Sequence, residues 1–132
     1  MKFDHIGIFV SSLSDGRKYF NKFLNIKKYS NIILDKGMKV KVQFLYDNRN
    51  IKYELVAPYG KINPITNSLL KKKNIINHLA YKVKKFDEKI KQLRSIKFIP
   101  ISPIYKSKAF KGSRVIFLIS NLNFIIELIE DN

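Results

Sequence analysis

The first residues of the chain alternate in character like a half-buried strand over residues 2–10, where His5 heads the run His5-Ile6-Gly7-Ile8-Phe9-Val10. Hydroxyls at Ser11, Ser12 and Ser14 then offer a helix cap, and Leu13, Phe20, Phe23 and Leu24 form one apolar helical face. Strand patterning returns over residues 27–34, 38–46 and 51–57, with turns at Asp35-Lys36-Gly37 and Asp47-Asn48-Arg49-Asn50. Pro58-Tyr59-Gly60 closes this module. In the bridge that follows, Pro64 predicts the start of a short helix over residues 64–70. The order of elements then repeats. A strand over 75–83 leads to a helix over about 85–93 with Phe86, Ile90 and Leu93 on one face. A strand near 96–101, an irregular stretch over 102–112, and strands over 114–119 and 124–130 complete the second copy.

Two copies of a βαβββ module, offset by 73 residues, predict an α+β fold with a curved, cleft-bearing mixed sheet. The expected organisation is a single domain over 1–132, with module one about 1–60, a bridge over 61–74 and module two about 75–132. Duplicated modules of this kind pair their sheets around one cleft, so ligand residues come in matched pairs.

Both histidines and two of the four glutamates fall on that repeat. His5 precedes Glu54 by 49 positions, and His78 precedes Glu127 by the same 49. Each glutamate interrupts an apolar run with the same continuation, Tyr53-Glu54-Leu55-Val56 and Ile126-Glu127-Leu128-Ile129. A lone histidine on an apolar strand is more often a hydrogen-bonded core residue, and a lone glutamate is often solvent-facing. The fourfold match outweighs both readings. Two imidazoles and two carboxylates make a hard N/O donor set with room for water or substrate on a five- or six-coordinate ion. The expected cofactor is a divalent metal ion (Co, Ni, Mn, Fe or Zn), among which ligand type does not choose.

Composition narrows the chemistry. An apolar fraction of 45%, with ten Phe and seven Tyr in 132 residues, indicates a folded globule with a core. There is no cysteine, which excludes disulfides and thiolate ligands. No apolar run reaches transmembrane length and the N-terminus runs straight into a strand pattern, so a cytoplasmic protein with no membrane partner is expected. A net charge of +16 raises the question of nucleic acid. The lysines are spread over both halves, dense only at Lys71-Lys72-Lys73, and no recognition helix, zinc finger or RNA-binding signature accompanies them. A solvated basic surface is the simpler reading, and no nucleic-acid partner is expected.

The run Tyr53-Glu54-Leu55-Val56-Ala57-Pro58-Tyr59-Gly60, then Asn63-Pro64-Ile65, then Asn77-His78-Leu79-Ala80-Tyr81-Lys82-Val83, resembles the vicinal-oxygen-chelate superfamily. Its methylmalonyl-CoA epimerase branch is the most similar. The resemblance spans nearly the whole chain. It implies a metal held by His5, His78 and Glu127, with Glu54 as the fourth ligand or its neighbour. It implies an isomerase or epimerase that moves a proton next to a carbonyl, with Glu127 and Glu54 as the catalytic bases. The implied substrate is a small molecule, a CoA or carrier thioester, with Gln43 and Arg114 as candidate substrate-binding residues, and a homodimer is compatible with it. The strand over residues 39–45 lacks the further acid that some epimerases carry there, and Asn77 stands where a second histidine is frequent. Glyoxalase I (lactoylglutathione lyase) would use the same metal set. Antibiotic-binding members sequester a ligand without catalysis and commonly lose the metal ligands, which here are all filled.

Overall fold

The computed structural model describes residues 1–60 and 75–132. The bridge over 61–74, with its expected short helix, Asn63-Pro64-Ile65 and Lys71, Lys72 and Lys73, lies outside the described residues. The fold is α+β, and its mixed sheet follows the βαβββ order twice. Two compact units are distinguished, Ile6–Ile76 and a second formed by Met1–His5 with Asn77–Asn132. Strand β1 (Lys2–Phe9) contributes to both: its first residues belong to the second unit and its remainder to the first.

In the unit Ile6–Ile76, Ser12 starts helix α1 (Leu13–Phe23) because its extended backbone lets the hydroxyl accept the Asp15 N–H at 3.1 Å. The acidic Asp15 in the first turn complements the helix dipole. The helix packs on a core of Ile8, Val10, Leu13, Leu45, Leu55 and Ala57. At Gly16 it comes so close that an added Cβ would sit 3.0 Å from Leu55 and 3.2 Å from Val10. Strands β4 (Val40–Asp47) and β5 (Lys52–Pro58) form an antiparallel hairpin. Its turn is closed by the Asp47 carboxylate, which accepts the N–H groups of Arg49 and Ile51, both at 2.9 Å. Strand β5 lies parallel to β1, with Gly7 in register with Glu54. The strand expected over 27–34 is divided into β2 (Ile26–Tyr29) and β3 (Ile33–Asp35), both antiparallel to β4. The break falls at Ser30, whose hydroxyl accepts the Phe44 N–H at 2.9 Å, a side chain replacing a backbone carbonyl in the ladder.

The other unit repeats the plan with β6 (Ile75–Val83), α2 (Phe86–Ser95), β7 (Ile99–Pro100), β8 (Tyr105–Lys106), β9 (Arg114–Ile119) and β10 (Ile125–Glu130). Strand β10 runs parallel to β6 and antiparallel to β9, and β7 and β8 both pair with β9. Helix α2 covers one sheet face through Phe86, Ile90 and Leu93, against Val83, Ile116, Leu118, Ile126 and Leu128. Each large side chain buried there contributes about 1.5–3 kcal/mol relative to exposure. The strand expected to begin near residue 96 starts only at Ile99. Lys97 adopts a left-handed φ of 76°, the Phe98 N–H returns to the Leu93 carbonyl, and the Lys97 N–H returns to Arg94. That is a Schellman helix end, built on a lysine where glycine is usual.

Candidate metal centre

Alternation along β6 and β10 sorts their residues between two faces. Leu79, Tyr81 and Val83 alternate with His78 and Ala80 along β6, and Ile126 and Leu128 with Glu127 and Ile129 along β10; Tyr81, Val83, Ile126 and Leu128 lie in the α2-covered core. The face away from α2 carries His78, Ala80, Glu127 and Ile129. Glu127 is in register with Ala80 on one side and Phe117 on the other. Ala80, two residues past His78, is fully buried and small, and it leaves the Glu127 carboxylate space to lean toward the imidazole.

His5, His78 and Glu127 come together in this unit and form a group that could hold a metal ion. The two Nε2 atoms are 3.3 Å apart, and Glu127 Oε2 lies 3.4 Å from that of His5 and 3.2 Å from that of His78. All three side chains are buried, with His5 at 0% exposure. The opposite ring nitrogens are engaged. His5 Nδ1 donates to Asp4 Oδ2 at 2.8 Å, and His78 Nδ1 donates to Asn77 Oδ1 at 2.9 Å. A neutral imidazole that donates from Nδ1 bears a lone pair at Nε2. Two nitrogen lone pairs and a carboxylate oxygen therefore point at one another in a space closed to solvent.

Glu127 Oε2 has no hydrogen-bond partner among the described residues. A buried polar atom in that state costs free energy unless something charged completes it. A proton on one Nε2 satisfies one neighbour, whereas a cation satisfies all three. The spacing fits that second solution. Donors about 2.1 Å from an ion lie about 3.0 Å apart in an octahedron and about 3.4 Å apart in a tetrahedron, and the three separations here fall within that interval. The rings are also clamped in place. Phe110 stacks on His5 with centroids 5.5 Å apart, and Phe117 meets His78 edge-on at 5.1 Å. Phe110 comes from a short 3₁₀ turn, Lys108–Phe110, within the stretch expected to be irregular.

Glu54 occupies the same position in its own unit that Glu127 occupies in the other. It is buried on β5, in register with Gly7, and Gly7 follows His5 by two residues on β1, as Ala80 follows His78 on β6. Phe44 of β4 is its other cross-strand neighbour.

Gln43 and Arg114, the two candidate substrate-binding residues, both lie on helix-covered faces. Gln43 is in register with Leu55, one position off Glu54, and so faces α1. Its amide oxygen accepts from Arg17 of α1 at 2.7 Å, and its amide nitrogen donates to the Ser30 carbonyl at 2.9 Å. Arg114 lies on the α2 face of β9. It forks Glu130 and Asp87 and sits 4.8 Å over the Phe86 ring, which ties the β9–β10 hairpin to α2. Hydrogen bonds from Arg114 hold the Asp87 and Glu130 carboxyls below their ordinary range, and the same bonds raise the guanidinium. A groove of about 690 Å³ in the unit Ile6–Ile76 is likewise on the helix side, lined by Ile6, Ile8, Val10, Phe20 and Tyr53, and none of the candidate ligands borders it.

Asp4, Asn77 and Phe110 touch the candidate ligands, and the sequence reading gave none of them a part there. The first two carried a legible signal, since each immediately precedes a histidine and they stand 73 positions apart.

A family model described as Glyoxalase/Bleomycin resistance protein/Dioxygenase superfamily matches residues 4–117. The chain belongs to that superfamily. It is 25% identical over 117 residues to the uncharacterized protein YqjC of Bacillus subtilis (strain 168), covering 89% of this chain and 81% of YqjC. The crystal structure of hypothetical protein BH1468 from Bacillus halodurans C-125 superposes with a TM-score of 0.85 at 28% identity, over 99% of this chain and 94% of that one. The methylmalonyl-CoA epimerase of Mycobacterium tuberculosis shares the fold, with a TM-score of 0.82 at 22% identity over 99% and 88% of the two chains. Among the described residues, no helix is long and apolar enough to cross a membrane.

Proposed function

We propose that this superfamily member is a metal-dependent isomerase or epimerase that transfers a proton at the carbon next to a carbonyl, on a small acyl thioester such as methylmalonyl-CoA. One observation carries the reading: a buried carboxylate oxygen of Glu127, without a hydrogen-bond partner among the described residues, beside two inward-facing Nε2 atoms. The fold shared with a methylmalonyl-CoA epimerase supports the choice of substrate class.

In this reading His5, His78 and Glu127 hold a divalent ion, and Glu54 is kept as the fourth ligand that the family resemblance implies. Such an ion, when bound, supplies Lewis-acid stabilisation of charge developing on a substrate oxygen. The protein's own work is positional. The phenyl rings of Phe110 and Phe117 fix the imidazole planes, and the apolar wall around Glu127 excludes water from its carboxylate. Glu127, as the carboxylate, takes the proton from the substrate carbon and Glu54, entering the step as the carboxylic acid and off the ion, gives one to it, or the reverse. A positioned base of this kind contributes about 10²–10⁴-fold in rate. Gln43 and Arg114 are given no role in this step, since they meet Arg17 and Glu130 on helix-covered faces.

The test is methylmalonyl-CoA incubated in deuterated buffer with Co²⁺-loaded protein. The expected result is deuterium at the carbon between the two carbonyls, lost in Glu127→Gln. Absence of exchange in the loaded wild-type protein rejects the thioester substrate. Turnover of methylglyoxal with glutathione in the same preparation would move the reading to lactoylglutathione lyase at the same site.

A further inference from the structure

Resting on the metal reading above, we infer that Asp4 and Asn77 are positioning residues that lock both ligand imidazoles in the same tautomer but make them donors of unequal strength. Each residue immediately precedes its histidine, and the two hydrogen bonds are nearly equal in length, 2.8 Å from His5 Nδ1 to Asp4 and 2.9 Å from His78 Nδ1 to Asn77. Both acceptors are oxygens, so both rings carry a proton on Nδ1, and in the neutral ring that tautomer turns the Nε2 lone pair toward the ion. Phe110 and Phe117 already hold the ring planes. What remains for Asp4 and Asn77 to decide is which nitrogen is available.

The two acceptors differ by a full charge. A carboxylate draws the Nδ1 proton toward itself and makes the opposite nitrogen the more basic donor, whereas a neutral amide does so weakly. Asp4 has only 11% of its side chain exposed, and its other oxygen lies 3.8 Å from Lys82 Nζ, an ammonium with 38% of its side chain exposed. Lys82 tempers the carboxylate charge at a distance where solvent still screens it. The direct 2.8 Å bond to His5 is the shorter and drier contact. His5 is therefore the stronger nitrogen donor of the pair and His78 the weaker, although the repeat makes their backbone positions equivalent.

Two measurements separate this inference from the metal reading. Long-range ¹H–¹⁵N spectra of the histidine rings, recorded on metal-free protein, report the tautomer without any ion. Both rings are expected as Nδ1–H, with His5 shifting toward a tautomer mixture in Asp4→Ala and His78 doing so in Asn77→Ala. Titration with Co²⁺ alone then ranks the donors. Asp4→Asn is expected to weaken binding about 10–100-fold, the usual scale for loss of a ligand's outer partner. Asn77→Asp is expected to tighten it, and the double exchange to return toward wild type. Wild-type rings found as Nε2–H, or single exchanges that leave Co²⁺ affinity unchanged, overturn the inference. A wild-type protein that binds no Co²⁺ overturns the metal reading and the donor ranking with it, while the tautomer spectra still decide whether Asp4 and Asn77 hold the rings.

Discussion

His5 and His78 present their Nε2 atoms to each other at 3.3 Å, with both rings buried and both Nδ1 atoms already donating. In neutral rings with this tautomer the contact brings two lone pairs together, with the Glu127 carboxylate adding a third at 3.2–3.4 Å. A divalent cation converts the repulsion into binding. Ligand that binds only the folded state stabilises it by about 2.7 kcal/mol at one hundred times its dissociation constant. Thermal unfolding of the metal-free protein should therefore shift upward with Co²⁺ or Zn²⁺ and return when a chelator is added. The shift should vanish in His78→Ala.

Ala80 predicts a steric dependence of the site. It is fully buried and in register with Glu127, so Ala80→Leu places three extra carbons where the carboxylate leans toward His78. Overpacking of this kind costs about 1–3 kcal/mol. Denaturant unfolding should show that loss, and the metal-induced stabilisation should fall with it because the carboxylate is displaced.

Gln43 should behave as a structural residue. Gln43→Ala takes one partner each from the half-buried Arg17 guanidinium and Ser30 carbonyl, and a hydrogen bond of this kind contributes about 0.5–1.5 kcal/mol. Stability should drop by that order, measured by chemical denaturation. Metal affinity should be unchanged, which a metal-facing residue would not allow.

Arg114 predicts a pH dependence. It lowers the Asp87 and Glu130 carboxyls in the folded state, so their contribution is present above the unfolded carboxylate range, about pH 4, and is lost as pH falls through the folded values. Arg114→Gln should therefore unfold at a lower temperature than wild type near neutral pH. The gap between the two should close below about pH 4. The effect will be small and salt-sensitive, since Asp87 is well exposed.

Much of this was readable before any coordinates. The 73-residue offset, the helix faces of Leu13 and Phe86, and the equal histidine-to-glutamate intervals follow from hydrophobic period and residue spacing, which are local properties. Strand register is not local. It decides that Gln43 stands opposite Leu55 rather than Glu54, and a slip of one residue would send the same side chain to the other face. The face of Arg114 is hidden for the same reason, because only the pairing of Phe117 with Glu127 reveals which of the β9 residues face α2. The helix end at Lys97 escaped because a left-handed lysine gives no compositional sign. The acceptors Asp4 and Asn77 were hidden in plain view on the same repeat as the histidines they hold.

X-ray absorption spectroscopy of the Zn²⁺-loaded protein tests the central claim most directly. The account predicts one ion per chain with two imidazole nitrogens at about 2.0–2.1 Å and the rest of its shell made of oxygen. The outer-ring scattering of one imidazole should disappear in His5→Ala and again in His78→Ala. A spectrum showing oxygen ligands alone, unchanged by either substitution, would contradict it.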